Sequence, residues 1–157
     1  MYTALLTVHS YLRWVVLLVA ILAIVLAIGG LSKGSAWGPA DDRSAKWFTM
    51  VLDIQMLIGL IIFIFLSPFT APALSDMSAT MKDAGVRFIT VEHQVGMIIA
   101  VALAHVGRAR LRKTADPVRK HKTALIFFGL SLLVMLISIP WPGRPGGRVL
   151  FRGFGVE

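Results

Sequence analysis

Four apolar runs dominate this chain, roughly Leu12–Leu31, Trp47–Leu66, Phe88–Gly107 and Ala124–Trp141. Each approaches the ~20 apolar residues that a membrane-crossing helix needs. Hydrocarbon offers no hydrogen bonds to the backbone, so a segment of this kind in lipid must satisfy its own amides as a helix. The expected fold class is therefore all-α, an integral membrane up-down four-helix bundle. Antiparallel neighbours joined by short connections give that topology. Residues 1–142 make up the transmembrane domain, followed by an irregular Gly- and Arg-rich tail over 143–157.

Composition agrees with a lipid environment. Charged residues are 15% of the chain and hydrophobic ones 57%, against roughly 25% charged in an ordinary soluble domain. Cysteine is absent, which excludes disulfides, iron–sulfur clusters and thiolate metal sites. Met1-Tyr2-Thr3 lacks the basic region of a signal peptide, and the first run is too long for a signal core, so it is expected to stay in the mature protein.

The net charge of +8 is unevenly spread. The connection between the third and fourth runs carries seven basic residues (Arg108, Arg110, Arg112, Lys113, Arg119, Lys120 and Lys122) against one acid, Asp116. Lys33, Arg43 and Lys46 lie in the first connection, Lys82 and Arg87 in the second, and Arg144, Arg148 and Arg152 in the tail. Ten basic residues thus fall on one side and five on the other. The positive-inside rule puts the ten in the cytoplasm and both termini outside. The basic loop suits anionic lipid headgroups. No aromatic residues interleave with it to stack bases, which argues against nucleic acid.

Punctuation supports the same division. Gly29-Gly30 and the segment Gly34 to Pro39 are expected to end the first helix, Ser67-Pro68 the second, and Pro140-Trp141-Pro142 the fourth; Asp116-Pro117 breaks the basic loop. Residues 67–87 have room for a short surface helix.

This topology brings His9 of the first helix and His93 of the third to one depth near the outer face. Ionisable groups inside a bundle are costly and mark sites. His9 and Arg13, four apart, share a helix face; Glu92, His93 and Gln94 lie at the outer end of the third helix, and Trp141 and Arg144 arrive from the fourth. Imidazoles from two helices can take both axial positions of a haem iron. Arg13 or Arg144 would then pair with its propionates in a fork, and Glu92 would accept a histidine ring proton. Gly96, Ala100 and Ala104 either leave room for a flat macrocycle or let helices pack closely. The alternative is an Arg13–Glu92 ion pair locking two helices, with both histidines as bystanders.

A second group lies deeper. Asp53 and Gln55 of the second helix are near His105 of the third in depth. His105 is twelve residues beyond His93, about 18 Å along the axis and rotated by roughly 120°. It is a candidate ligand of a second haem, with His121, Met50 or Met56 opposite, or a partner of Asp53 in relaying protons or holding a quinone carbonyl, or in a structural contact. His121, among basic residues, is expected to be solvated. The scattered methionines read as packing filler.

At these residues the chain resembles small bacterial four-helix membrane proteins commonly labelled cytochrome b. The likeness rests on His9-Ser10-Tyr11-Leu12-Arg13-Trp14, Gln55-Met56-Leu57-Ile58-Gly59-Leu60, Glu92-His93, Ala104-His105-Val106-Gly107-Arg108 and Ile139-Pro140-Trp141-Pro142. The resemblance implies a haem b protein of the bacterial cytoplasmic membrane, with His9, His93 and His105 as haem-site residues. Electron exchange with a membrane quinone or a periplasmic carrier, in company with other membrane subunits or further copies of the chain, is the expected setting. A cofactor-free accessory subunit and a small proton or ion pathway are the rival expectations. Nothing resembles a hydrolytic site: the chain shows no nucleophile–base pair, phosphate loop or paired catalytic carboxylates.

Overall fold

A computed structural model of the chain describes residues 1–151. Among these residues the fold is all helical, with no strand. The first long helix, α1 (Tyr2–Lys33), begins ten residues before its apolar run. It passes through Gly29-Gly30 and stops at Gly34, whose φ of 60° is the left-handed conformation that ends helices. The helix α2 (Pro39–Ile61) starts with Pro39 in its first turn, and Asp41 accepts a hydrogen bond from the Gly38 N–H at 2.8 Å. It continues through a π-helical turn, Ile62–Leu66. Three short helices follow: α3 (Thr70–Ser75), α4 (Met77–Lys82) and α5 (Ala84–Arg87). A second π-helical turn, Phe88–Glu92, leads into α6 (His93–Arg112). The last helix, α7 (Pro117–Ser138), is capped by Asp116, whose carboxylate accepts from the Val118 and Arg119 N–H groups.

The long helices form a ring in the order α1, α2, α6, α7, each packed antiparallel against its neighbours. Side-chain pairings fix the directions. The start of α1 meets the later part of α2 through His9 and Gln55. The start of α2 meets the end of α6 through Asp42 and Arg108, and the start of α7 meets the end of α1 through His121 and Gly30. α1 and α6 therefore face one another across the interior.

All four helical stretches are long and apolar enough to cross a membrane. The bundle is also apolar on its outside: Leu18, Leu57, Ile64 and Leu133 are among many large aliphatic side chains more than half exposed. A water-soluble bundle would place charges there. The interior combines small residues (Ala20, Ala23, Ala27, Ala45, Ala104) with Phe48 and Phe128, whose rings meet edge to face at 5.2 Å.

The helices α6 and α7 pack most intimately, and the cause is a row of small residues. Gly96, Ala100, Ala104 and Gly107 recur along one face of α6 and are buried. A Cβ at Gly96 would fall on the Ser138 side chain, and one at Gly107 would approach Phe127 Cβ to 2.6 Å. Ser131 donates a hydrogen bond to the Ala100 carbonyl at 2.8 Å. The row therefore serves close helix approach and does not clear space for a macrocycle, which corrects the first of its two sequence readings.

Residues 143–151 form no helix and fold back on the start of the bundle. The Leu150 carbonyl accepts from Arg13 at 2.8 Å, and Phe151 stacks on Trp14 at 5.5 Å. The rest of the Gly- and Arg-rich tail, 152–157, lies outside the described residues.

Candidate functional site

One end of the bundle holds a partly open cavity of about 130 Å³. The π-helical turns border it, through Ile62 and Phe63 on one side and Ile89 and Thr90 on the other. Each turn closes with an i→i+5 bond, Ser67 N–H to Ile62 O and His93 N–H to Phe88 O. The extra residue widens the helix locally; such turns recur at functional sites.

His9 and His93 line this cavity from opposite helices, α1 and α6. Their ring centroids are 6.5 Å apart and the ring planes are nearly perpendicular, at 79°. Nδ1 of His93 lies 2.8 Å from the Ser138 carbonyl. A carbonyl can only accept, so Nδ1 carries the proton and Nε2 keeps a free lone pair. His9 is held differently: Gln55 Nε2 donates to its main-chain carbonyl at 2.9 Å, and its Nδ1 has no partner. Gly59 lies against the His9 ring, where an added Cβ would come within 3.0 Å of Cε1.

Three shielded polar atoms at this cavity lack hydrogen-bond partners: His9 Nδ1, Arg13 Nε and Gln55 Oε1. Buried polar groups in native proteins are nearly always satisfied, so three orphans around one space indicate room for a polar ligand. Arg13 and Arg148 supply positive charge beside it. Arg13 also lies beside two indoles, 5.2 Å from the Trp14 ring centre and 5.8 Å from that of Trp141.

Several sequence expectations are corrected by these placements. Glu92 does not serve a histidine or Arg13; it pairs with Arg87 at 2.8 Å, because the π-helical turn before His93 directs it to the short helices outside. The task given to Glu92, orienting His93, falls to a backbone carbonyl. The Arg13–Glu92 ion pair is likewise not formed. Arg144 turns away, donating to the Ile137 carbonyl and lying 5.8 Å from the Phe88 ring, and Arg148 stands at the cavity in its place. Gln55 belongs with His9 and not with the deeper group, since residues two apart on a helix point to nearly opposite sides.

The deeper group is assembled only in part. Asp53 and His105 meet at 2.7 Å, on the outward face of α2 and α6, with each side chain about half exposed. Met56 lines the cavity described above, Met50 faces outward, and His121 is remote from His105, at the contact of α1 and α7. Met56 and His121 are thus directed away from His105, whereas Met50 lies one turn from Asp53 on the same outward face. His121 is also not solvated. It is 1% exposed, packed on Gly30 and against Trp37 at 5.0 Å, with neither ring nitrogen hydrogen-bonded. The absent side chain of Gly30 makes the pocket for this ring, so a helix written through two glycines and a histidine in a basic run belong to one contact.

Sequence reasoning missed Arg148, the Ser138 carbonyl and the Asp42–Arg108 pair, which meets at 2.6 Å with Arg108 nearly buried. Backbone carbonyls carry no sequence signal. Arg148 was recoverable only as one basic residue of the tail.

Among the described residues, no three His, Cys, Asp or Glu side chains converge to hold a metal ion by themselves. A metal arriving with four ligands of its own needs only two from the protein. His9 and His93, on opposite helices with ring centroids 6.5 Å apart, are the two imidazoles at this cavity that would hold such a metal. Searched against protein-family models, curated proteins and solved structures, the chain matches none.

Proposed function

We propose that this chain is a multi-pass membrane protein that binds haem b between His9 and His93 and passes electrons. The observation that carries the reading is the pair of imidazoles from opposite helices that line one cavity with ring centroids 6.5 Å apart, one with its tautomer set by the Ser138 carbonyl. An outer hydrogen bond of that kind orients a metal-binding imidazole and raises its basicity. Haem bound there would supply a reversible one-electron change at iron, and His9 and His93 would hold it through ring nitrogens. Arg13 and Arg148 offer cations for the haem carboxylates, which guanidinium groups bind in a fork. Leu52, Met97 and Val101 give that part of the cavity an apolar wall.

The charge asymmetry of the connections supports an orientation with the His9–His93 end outside and the basic turn between α6 and α7 in the cytoplasm. The resemblance to small bacterial cytochrome b proteins supports the bacterial cytoplasmic membrane as the location. Electron partners of the corresponding class are a membrane quinone or a periplasmic carrier. For the deeper group, the outward-facing Asp53–His105 contact favours a separate task, hydrogen bonding to a quinone or exchanging its protons at the lipid-facing surface.

The test is an absorbance spectrum of the purified chain, oxidised and then reduced with dithionite. Low-spin haem b bands are expected, and a folded protein that stays colourless when haem is supplied would refute the proposal.

A further inference from the structure

At the opposite end of the bundle, the turn between α6 and α7 bounds a shallow concavity that is open to the surface. Arg110, Lys113, Arg119 and Lys122 converge on it. Only Arg119 has an acidic partner among the described residues, Asp116 at 3.3 Å. That carboxylate is already engaged in capping α7. Arg110 is held over the Phe127 ring at 4.7 Å, so its guanidinium is positioned by packing. Four cations lining one concavity repel one another, and an anion seated among them relieves the repulsion.

The remaining lining specifies what kind of anion. Thr114 and Thr123 add hydroxyl groups, whereas Ile126 and Phe127 form an apolar wall that leads onto the outside of the bundle. Ile126 is 54% exposed there. Cations beside a hydrocarbon wall match a ligand with a charged head and an apolar tail. Basic pockets between helices at the cytoplasmic surface are suited to anionic phospholipid headgroups.

We infer that this turn is a binding site for the phosphate ester of an anionic phospholipid, with an acyl chain lying along Ile126 and Phe127. The inference rests on the membrane reading above but not on haem.

Native mass spectrometry of the full chain, titrated with phosphatidylglycerol, phosphatidylcholine or inorganic phosphate, tests it. Phosphatidylglycerol should be retained in preference to phosphatidylcholine. The exposed double variant Arg110→Gln/Lys122→Gln should bind phosphatidylglycerol roughly twenty-five-fold more weakly, from about fivefold per surface cation removed. An unchanged melting temperature would show that the variant is folded. Equal retention of both lipids, or a variant that binds like the wild type, overturns the site. Displacement of the lipid by an equal concentration of inorganic phosphate overturns the lipid assignment in favour of free phosphate. Failure of the chain to insert into vesicles sinks the membrane reading itself; insertion without headgroup preference sinks only this inference.

Discussion

Gly96→Ala gives opposite signs according to whether the α6–α7 contact is as tight as described. In an unconstrained helix the change stabilises by about 0.5–1 kcal/mol, because alanine loses less backbone freedom on folding. At Gly96 the new Cβ falls on the Ser138 side chain, 2.7 Å from Ser138 Cβ. Carbon atoms pack at about 3.5–4.0 Å, so the two helices must separate by about 1 Å. Overpacking of this kind costs about 1–3 kcal/mol, and the displacement falls near the upper part of that range. The net expectation is a loss of about 1–2 kcal/mol. The same shift moves the Ser138 carbonyl away from His93 Nδ1, and losing such an orienting bond typically weakens metal affinity 10- to 100-fold. Thermal unfolding in detergent reads the first effect and haem titration the second. Ser138→Gly removes the obstructing atoms but keeps the carbonyl. A double-mutant cycle should therefore return a coupling of at least about 1 kcal/mol in favour of the pair. A stabilised Gly96→Ala protein, or a cycle with no coupling, would refute the packing argument.

Other outcomes follow from single contacts. His9→Ala and His93→Ala should each abolish the low-spin haem spectrum, whereas Glu92→Gln should leave it intact because that carboxylate serves Arg87; loss of haem in the Glu92 variant would show that Glu92 orients His93 after all. Asp53→Asn should retain haem while altering reduction by a quinol in a stopped-flow assay, since its contact with His105 faces away from the cavity; a colourless variant would place the cofactor elsewhere. His121→Leu should raise the melting temperature, because it removes two buried nitrogens without partners at about 1–3 kcal/mol each and loses an aromatic contact with Trp37 worth about 0.5–1.5 kcal/mol. A lower melting temperature would mean that those nitrogens are satisfied.

What was legible in the sequence follows the range of the physics involved. The four helices are written in long apolar runs, and the meeting of His9 with His93 follows from counting residues along antiparallel helices. The Asp53–His105 contact was open to the same counting. Direction around each helix was harder to read. The π-helical turns at Ile62–Leu66 and Phe88–Glu92 insert a residue into the 3.6-residue period, so Glu92 points to the short helices and not to the interior. Gly96 gave two readings because a small residue has the same letter whether it makes space for a ligand or for a helix. His121 was misplaced for a related reason: its neighbours in sequence are basic, yet the turn of the helix carries it alone onto Gly30.

The segment 143–151 gives the assembly a temporal order. Arg13 and Trp14 are made at the beginning of the chain, but the carbonyl they share belongs to Leu150, which is added only after α7 is complete. Until then Arg13 and Trp14 lack that partner. If the cavity takes the flat cofactor proposed above, the cofactor would meet a bundle whose closing segment is still to be made, and synthesis itself would separate loading from retention.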